Sequence, residues 1–180
     1  EIIVNAIDQH TRMEDEYNNT KSKAARAKVD RVTRIYINID QTNGTIEVIN
    51  NGRGIDVVFM EEHNKWPPGL IFGELLTGEN YDDNQQKTTG GKNGIGAKLA
   101  NIYSTDFLVE TVDSKRKRRY EQHFHDNMAV SDEPTIEENY TGDAFTRIKF
   151  HPDYTYFDMT GLDDQVFSLF QISDIEKGMS

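Results

Sequence analysis

The sequence predicts an α+β sandwich in which helices cover one face of a mixed, mostly antiparallel sheet. Two observations lead to this fold class. The patterns along the 180 residues run in the order helix, hairpin, two short helices and then a series of antiparallel strands. The 36% of hydrophobic and 28% of charged residues are typical of a globular domain with enough apolar side chains for a core. At this length we expect a single domain over 1–180.

The composition excludes several classes of site. There is no cysteine, so disulfides and thiolate zinc sites are excluded, and a reducing compartment is favoured. The formal charge of −11 makes the chain a poor DNA binder by itself, because it has no excess of cations to displace counterions from phosphates. No apolar stretch approaches the roughly 20 residues of a membrane span, and we expect no membrane partner.

Residues 1–28 carry the signals of a helix with an interruption. Apolar side chains recur on one side of it, at Ile2, Ile3, Ala6 and Met13. The polar residues Glu1, Asn5 and Asp8 are spaced by four and then three positions, so they share one helix face. The second half of the segment, 14–28, is highly polar and is predicted to be a surface excursion.

Alternation of apolar and polar residues predicts five strands. The first two are joined by Gln41–Gly44, which is typical of a hairpin turn. The predicted strands are 34–40, 45–50, 106–112, 117–125 and 144–151. Apolar periodicity predicts short helices at 70–77, after two prolines, at 96–104 and at 158–170.

A glycine-rich loop, TTGGKNGIGAK over 88–98, precedes the second of these short helices. The spacing of Gly91, Gly96 and Lys98 nearly matches a phosphate-binding P-loop, but the lysine comes one residue too late and no buried strand precedes the loop. A dinucleotide-binding loop also requires that strand. Glycines still allow successive backbone N–H groups to converge on an anion, so the loop is either a phosphate cradle or a flexible surface segment.

Two other patterns would complete a nucleotide site. Glu1 could orient an attacking water near a phosphoryl group, and Asn5, one turn later, could offer an oxygen ligand to Mg²⁺. The segment NNGRG, residues 50–54, places a side-chain amide at a strand end, where it could hold the edge of a base while the glycines let the ring approach. Each pattern alone is also compatible with ordinary surface polarity.

Together, the three patterns resemble the motifs of the GHKL ATPase superfamily. They are E-x-x-x-N at Glu1–Asn5, N-x-G-x-G at Asn50–Gly54 and G-x-x-G-x-G at Gly91–Gly96. Within the superfamily, LIFGELLTGENYDD and TGGKNGIGAKLANIYS resemble the ATPase domains of type IIA DNA topoisomerases, in the eukaryotic and large-DNA-virus branch. The resemblance covers about residues 1–170 and implies the two-layer α/β sandwich known as the Bergerat fold.

The resemblance implies ATP and Mg²⁺ as ligands and assigns residues to them. Glu1 would be the general base for ATP hydrolysis, Asn5 the Mg²⁺ ligand, and Asp8 a neighbour of the same site. Asn50 would contact adenine, and Thr146 would help to hold a water there. The other residues implied to bind nucleotide are Gly52, Gly54, Asn80, Gly91, Lys92, Asn93, Gly94, Ile95, Gly96, Ala97 and Lys98.

For a whole protein, the resemblance implies an ATP-dependent DNA topoisomerase. It would act as a homodimer with an ATP-gated interface for DNA strand passage, would bind DNA through other domains, and would work in the nucleus or at a viral replication site. The resemblance also implies an N-terminal strap and a C-terminal transducer domain, and we expect the 180 residues, whose first pattern is already that of a helix interior, to be a piece without them. We therefore expect a fragment that binds nucleotide weakly and hydrolyses it slowly, if at all.

Two alternatives to this function stay open at the level of sequence. One is another GHKL protein, such as a MutL repair protein, a heat-shock chaperone N-terminal domain or a histidine kinase. The other is a non-catalytic module that dimerises in response to nucleotide. The presence of both Glu1 and Asn5 argues against a site that has lost its chemistry.

Three further features have a functional and a purely structural interpretation. The basic run Lys115–Arg119 could be a nuclear-localisation or DNA-binding patch, but a solvated hairpin turn is favoured. His123 and His125 alternate along one strand and could be metal ligands, although without a third ligand a packing or surface role is favoured. The acidic segment 132–138 is predicted to be solvated surface.

Overall fold

The computed structural model describes residues 1–74 and 95–163. Within these residues, helices lie at Ile2–Asn19 (α1), Lys23–Arg26 (α2), Pro67–Gly73 (α3) and Gly96–Ile102 (α4). Strands lie at Ile35–Asp40 (β1), Thr45–Asn51 (β2), Ser104–Asp113 (β3), Arg118–His125 (β4), Val130–Ser131 (β5), Thr135–Glu138 (β6) and Phe145–Pro152 (β7). The sheet order is β1-β2-β7-β3-β4-β5, with β6 also paired to β4, and all these pairings are antiparallel.

The core lies between one face of this sheet and helices α1, α3 and α4. Burial alternates along β2, so that Ile46, Val48 and Asn50 face the helices. Phe107 of β3 is fully buried, and its ring lies 6.1 Å from that of Phe72 in α3. Burying a side chain of this size contributes about 2–3 kcal/mol. The predicted α+β sandwich with helices on one face is thus confirmed, and none of the described helices has the length and apolarity needed to cross a bilayer.

Helix α1 is longer than the sequence pattern suggests. The polar residues from 14 onward continue the helix to Asn19, and the break falls only at 20–22, before α2. Two glutamates in this part of α1 make ion pairs with arginines that follow later in the sequence. Glu14 pairs with Arg31 at 2.6 Å, and Glu16 pairs with Arg53 at 2.7 Å. The prediction of a surface excursion agrees with the mostly exposed residues from 18 onward, but it missed the continuation of α1 to Asn19 and the tertiary contacts of the two glutamates.

The five predicted strands are found with ends shifted by at most two residues. The structure adds the short strands β5 and β6, which were not predicted. Strand β6 lies inside the acidic segment 132–138, where Glu137 and Glu138 pair with Arg119 at 3.7 Å and Arg118 at 2.9 Å. Its mostly exposed, charged residues hide the alternation that identifies the other strands.

The short helix predicted at 96–104 is found at Gly96–Ile102, whereas the other two differ from their predicted positions. Helix α3 begins at Pro67 rather than at residue 70, because proline is well suited to the first turn of a helix, where its missing N–H is not needed. Its predicted end at 77 lies outside the described residues. The helix predicted at 158–170 is not found over 158–163, where Asp158 has a positive φ of 53°; the rest of it is outside the described residues.

The basic run at Lys115–Arg119 spans the turn between β3 and β4. Its arginines contact acidic side chains of the same sheet. Arg116 pairs with Asp113 at 2.6 Å, and Arg119 pairs with Glu110 at 2.7 Å. These ion pairs support the interpretation as a hairpin turn.

The face of the sheet opposite the helices carries a line of ion pairs. Arg147 of β7 lies 2.6 Å from Glu47 of β2 and 3.2 Å from Glu110 of β3. Arg119 of β4 contacts the other carboxylate oxygen of Glu110, whose side chain is only 6% exposed. Because burial makes an uncompensated charge costly, the two arginines provide the opposite charges that the buried Glu110 side chain requires.

We expect Arg119→Met to lower the free energy of unfolding by about 1–2 kcal/mol, because it removes one of two partners of a buried carboxylate. Urea denaturation followed by circular dichroism measures the change. Lys65→Met is the control, since Lys65 pairs with Glu74 at 2.8 Å with both side chains well exposed, and it should shift stability by less than about 0.5 kcal/mol. Equal effects of the two substitutions would contradict a special role for the buried Glu110.

Candidate functional site

Three polar side chains form a row across the helix-facing side of the sheet. Asn50 of β2 lies directly opposite Thr146 of β7, which in turn lies opposite Thr111 of β3. Asn50 is 5% exposed and Thr111 is fully buried. The hydroxyl oxygens of Thr111 and Thr146 are 2.9 Å apart. The strand pairing thus brings together two of the residues singled out in the sequence, buried Asn50 and half-buried Thr146, in one polar row.

Thr111 was not among the residues identified from the sequence. Its hydroxyl oxygen accepts a hydrogen bond from the N–H of Ile55 at 2.9 Å and lies 3.2 Å from the carbonyl oxygen of Phe145. It therefore ties the turn after β2 to the two strands beside it. The sequence around Thr111 predicts a strand but contains no motif that marks this residue. Only the register of β3 against β7 places Thr111 beside Thr146.

The turn that follows Asn50 needs its two glycines for contacts within the protein. Gly52 has a φ of +85°, and a Cβ there would collide with the carbonyl group of Arg31. A Cβ on Gly54 would collide with the carbonyl oxygen of Val112 and the hydroxyl of Thr111. The two glycines are thus explained by close contacts with neighbouring backbone. That they also leave room for a base ring stays a prediction.

Arg53, between those glycines, fastens the turn to α1. Its guanidinium group donates to both carboxylate oxygens of Glu16, at 2.7 and 2.9 Å. Its backbone N–H donates to the carbonyl of Asp30 at 2.9 Å, and its carbonyl accepts from the side chain of Gln9 at 3.2 Å. The side-chain hydrogen bond raises the pKa of Arg53 and lowers the pKa of Glu16. Arg53 thus holds the turn in place.

Glu1 lies where the start of α1 meets the start of α4. It precedes the first turn of α1, and its side chain makes no capping hydrogen bond within the described part of the chain. Its carboxylate approaches Gly96 so closely that a Cβ on that residue would overlap it. Since Gly96 opens α4 directly after the glycine-rich loop, the structure places the acidic residue next to the end of that loop.

Asn5 and Asp8 follow Glu1 along α1, and both are half-buried. Burial lowers the pKa of the nearby Arg12, and the negative charge of Asp8 acts in the opposite direction. An amide oxygen and a carboxylate are hard oxygen donors, the type that Mg²⁺ takes beside phosphate oxygens and water. The donor set on this face of α1 therefore fits a magnesium ion.

Lys98 lies in the first turn of α4 and is only 5% exposed. Burial lowers the pKa of Lys98, and the charge of Glu74 partly opposes that effect. Of the neighbouring residues, Ile95 is exposed and Ala97 is buried. The other residues expected to bind nucleotide lie outside the described part of the chain, namely Asn80, which precedes the loop, and Gly91, Lys92, Asn93 and Gly94 within it.

The chain is similar over most of its length to curated DNA topoisomerase 2 proteins. It is 50% identical over 137 residues to that of Acanthamoeba polyphaga mimivirus, covering 76% of this chain and 11% of the relative. It is 43% identical over 169 residues to that of Arabidopsis thaliana, covering 94% of this chain and 10% of the relative. The chain thus spans about a tenth of the length of these relatives. No family model matches it.

Solved structures give the same picture. The ATPase region of Saccharomyces cerevisiae topoisomerase II superposes with a TM-score of 0.68 and 41% identity, covering 86% of this chain and 40% of that one. The ATPase and transducer domains of the Balamuthia mandrillaris enzyme give a TM-score of 0.65 and 38% identity, covering 90% and 40%. The ATPase domain of Thermus thermophilus gyrase B, at 22% identity and a TM-score of 0.59, shares the fold.

Proposed function

Because the chain belongs, over the residues it contains, to the ATPase region of the DNA topoisomerase 2 family, we propose that it binds ATP with Mg²⁺ and hydrolyses it. The observation that carries the proposal is the polar row of buried Asn50, half-buried Thr146 and buried Thr111 beside the turn at 52–57. Thr111 and Thr146 already hydrogen-bond each other. The side-chain nitrogen of Asn50 donates to the carbonyl of Asn51 at 3.2 Å, and its amide has a further donor and an acceptor with which a nucleotide base can pair.

Asn50 would recognise the adenine ring. A side-chain amide offers a donor and an acceptor on one edge, which matches the amino group and ring nitrogen of adenine. At 5% exposure, such a pair is shielded from competing water and is correspondingly stronger. Thr146 and Thr111 would complete the site through their hydroxyl groups, directly or through a bridging water.

The start of α1 would serve the phosphate end. Ile2 and Ala6 of α1 pack in the same core cluster as Val48, which lies two residues before Asn50 on the same face of β2. This packing keeps α1 on the side of the sheet that would receive the base. Glu1 would accept the proton of an attacking water, and Lys98 would add positive charge near the phosphates. Asn5, with Asp8 nearby, would hold Mg²⁺, which neutralises phosphate charge when bound.

In the whole protein, ATP binding would close a homodimer for DNA strand passage, and other domains would contact the DNA. The chain's charge of −11 supports this division of labour, because an acidic domain is poorly suited to bind DNA directly. Neither another GHKL activity nor a non-catalytic dimerisation module has a specific observation in its favour.

Asn50→Ala is expected to weaken ATP binding by about 5- to 100-fold, because losing one partner of a buried hydrogen-bonded pair costs about 1–3 kcal/mol. Isothermal titration of the chain with ATP and excess Mg²⁺ measures the dissociation constant. Asn50→Asp, which keeps an acceptor for the adenine amino group, should retain more of the affinity than the alanine variant.

The matched control is Asn38→Ala, which removes the same side chain from an exposed position of β1. Its ATP affinity should equal that of the unchanged chain. The base-site assignment is wrong if Asn50→Ala folds normally by circular dichroism and still binds ATP as tightly as Asn38→Ala.

A further inference from the structure

The face of the sheet opposite the helices carries a cluster of side chains that can ligate a metal. His123 and His125 of β4 project from this face, with nearly parallel rings whose centres are 5.9 Å apart. Asp106 of β3 is paired in register with His125, and its carboxylate lies 3.1 Å from Nδ1 of that histidine. One ligand atom from each of the three residues lies within 4.8 Å of the others. Strand β3 thus provides a third candidate ligand, Asp106, in addition to the two histidines that alternate along β4.

We propose that His123, His125 and Asp106 bind a divalent transition-metal ion of the Zn²⁺ type. Zinc is commonly held by imidazole nitrogen and carboxylate oxygen, and a site with three protein ligands leaves one position for water. Ligand atoms about 2.0–2.1 Å from a tetrahedral zinc ion lie roughly 3.4 Å from each other. The side chains are 39%, 36% and 49% exposed respectively, so they have room to rotate into that arrangement.

Asp132 is placed to hold the ring of His125. Its carboxylate lies 3.2 Å from Nε2 of His125, and its backbone N–H donates to the carbonyl of His123 at 3.0 Å. A carboxylate that accepts a hydrogen bond from one ring nitrogen leaves the lone pair of the other nitrogen for the metal, as is usual at zinc sites. Here that other nitrogen is Nδ1, which faces Asp106. Asp132 would therefore act as a positioning residue.

The same hydrogen bond from His125 to Asp132 raises the pKa of His125, with Asp106 adding to the effect. A raised pKa favours the protonated ring, so protons compete with the metal as the pH falls. Binding should therefore be measured at alkaline pH, where protons compete less for the ring nitrogens.

The site is distinct from the proposed nucleotide site. Phe124, which lies between the two histidines on β4, is buried in the core on the helix side, so the histidines lie on the other face. The ligand chemistry also differs, because Mg²⁺ prefers oxygen donors and retains water, whereas imidazole favours zinc and its neighbours. Excess Mg²⁺ should not displace the proposed metal.

The test is isothermal titration of the untagged 180-residue chain with Zn²⁺ in the presence of excess Mg²⁺. We expect saturable binding of one ion. The variants His123→Asn, His125→Asn and Asp106→Asn should each weaken it by at least about tenfold. His63→Asn is the matched control, because His63 has a similar exposure of 35% in a separate turn, and it should bind Zn²⁺ like the unchanged chain.

A second measurement does not depend on the folding of variants. Imidazole nitrogen NMR spectra of the unchanged chain should show Zn²⁺-dependent shifts for His123 and His125 and none for His63. If His125 is simply a protonated ring between two aspartates, no saturable binding will occur. That result, or binding unaffected by all three ligand substitutions, or shifts confined to other histidines, would overturn the proposal.

Discussion

Glu1→Gln is expected to lower ATP turnover by about 10²- to 10⁴-fold, the contribution typical of a positioned general base. Glutamine preserves the size of the side chain and its contact with Gly96, but its amide cannot take a proton from water. Nucleotide affinity should stay within about threefold, because the lost interaction matters mainly in the transition state. Phosphate release in a single turnover, with the chain in excess over Mg·ATP, measures the rate even where hydrolysis is slow.

The control is Glu61→Gln, which removes the same charge from an exposed residue in the turn after Met60. It should hydrolyse ATP at the rate of the unchanged chain. Two results would count against the assigned role of Glu1. Equal rates for Glu1→Gln and the control would exclude it as the base. Loss of binding together with turnover would instead make Glu1 a residue that holds the adjoining loop.

The parts of the fold that depend on local sequence could be predicted. The β1–β2 hairpin was placed to within one residue, because its alternation and the glycine of its turn, Gly44 with a φ of +65°, are both local signals. The order β2-β7-β3 could not be read in the same way, since it depends on pairings between distant segments. Strand β6 was missed because two of its four residues are glutamates that pair with arginines of β4, so its sequence shows charge rather than alternation.

The residues of the candidate site also fall into those that a local motif identifies and those that only strand pairing reveals. Asn50, Gly52 and Gly54 were identified because they form one short motif in one turn. Thr111 belongs to no such motif, and only its register with Thr146 shows that it is part of the site.

The histidine cluster shows the same limit. From the sequence, His123 and His125 lacked a third ligand, and the structure supplies Asp106 from the adjacent strand. Spacing within one strand is visible in a sequence, whereas register between strands becomes visible only in the folded chain.

Gly54→Ala is expected to lower the free energy of unfolding by about 3 kcal/mol, near the upper end for overpacking a well-packed interior. The added methyl group would meet the carbonyl oxygen of Val112, which belongs to the central strand β3 and has little freedom to move. It would also press on the hydroxyl of Thr111, which accepts the hydrogen bond from the N–H of Ile55. Relieving either clash would move the turn that contains Gly54 away from β3. Because this turn directly follows Asn50, we expect ATP binding to be lost together with the stability.

Gly142→Ala separates this steric effect from the general effect of replacing a glycine in a loop. The three atoms nearest to a Cβ on Gly142 all belong to the side chain of Tyr140, which can turn aside, so stability should change by less than about 1 kcal/mol. Urea denaturation and ATP titration of both variants provide the comparison. If Gly54→Ala matches Gly142→Ala in both measurements, the turn does not depend on its contact with β3. If Gly54→Ala is destabilised but still binds ATP at full affinity when folded, the contact supports the fold without shaping the base site.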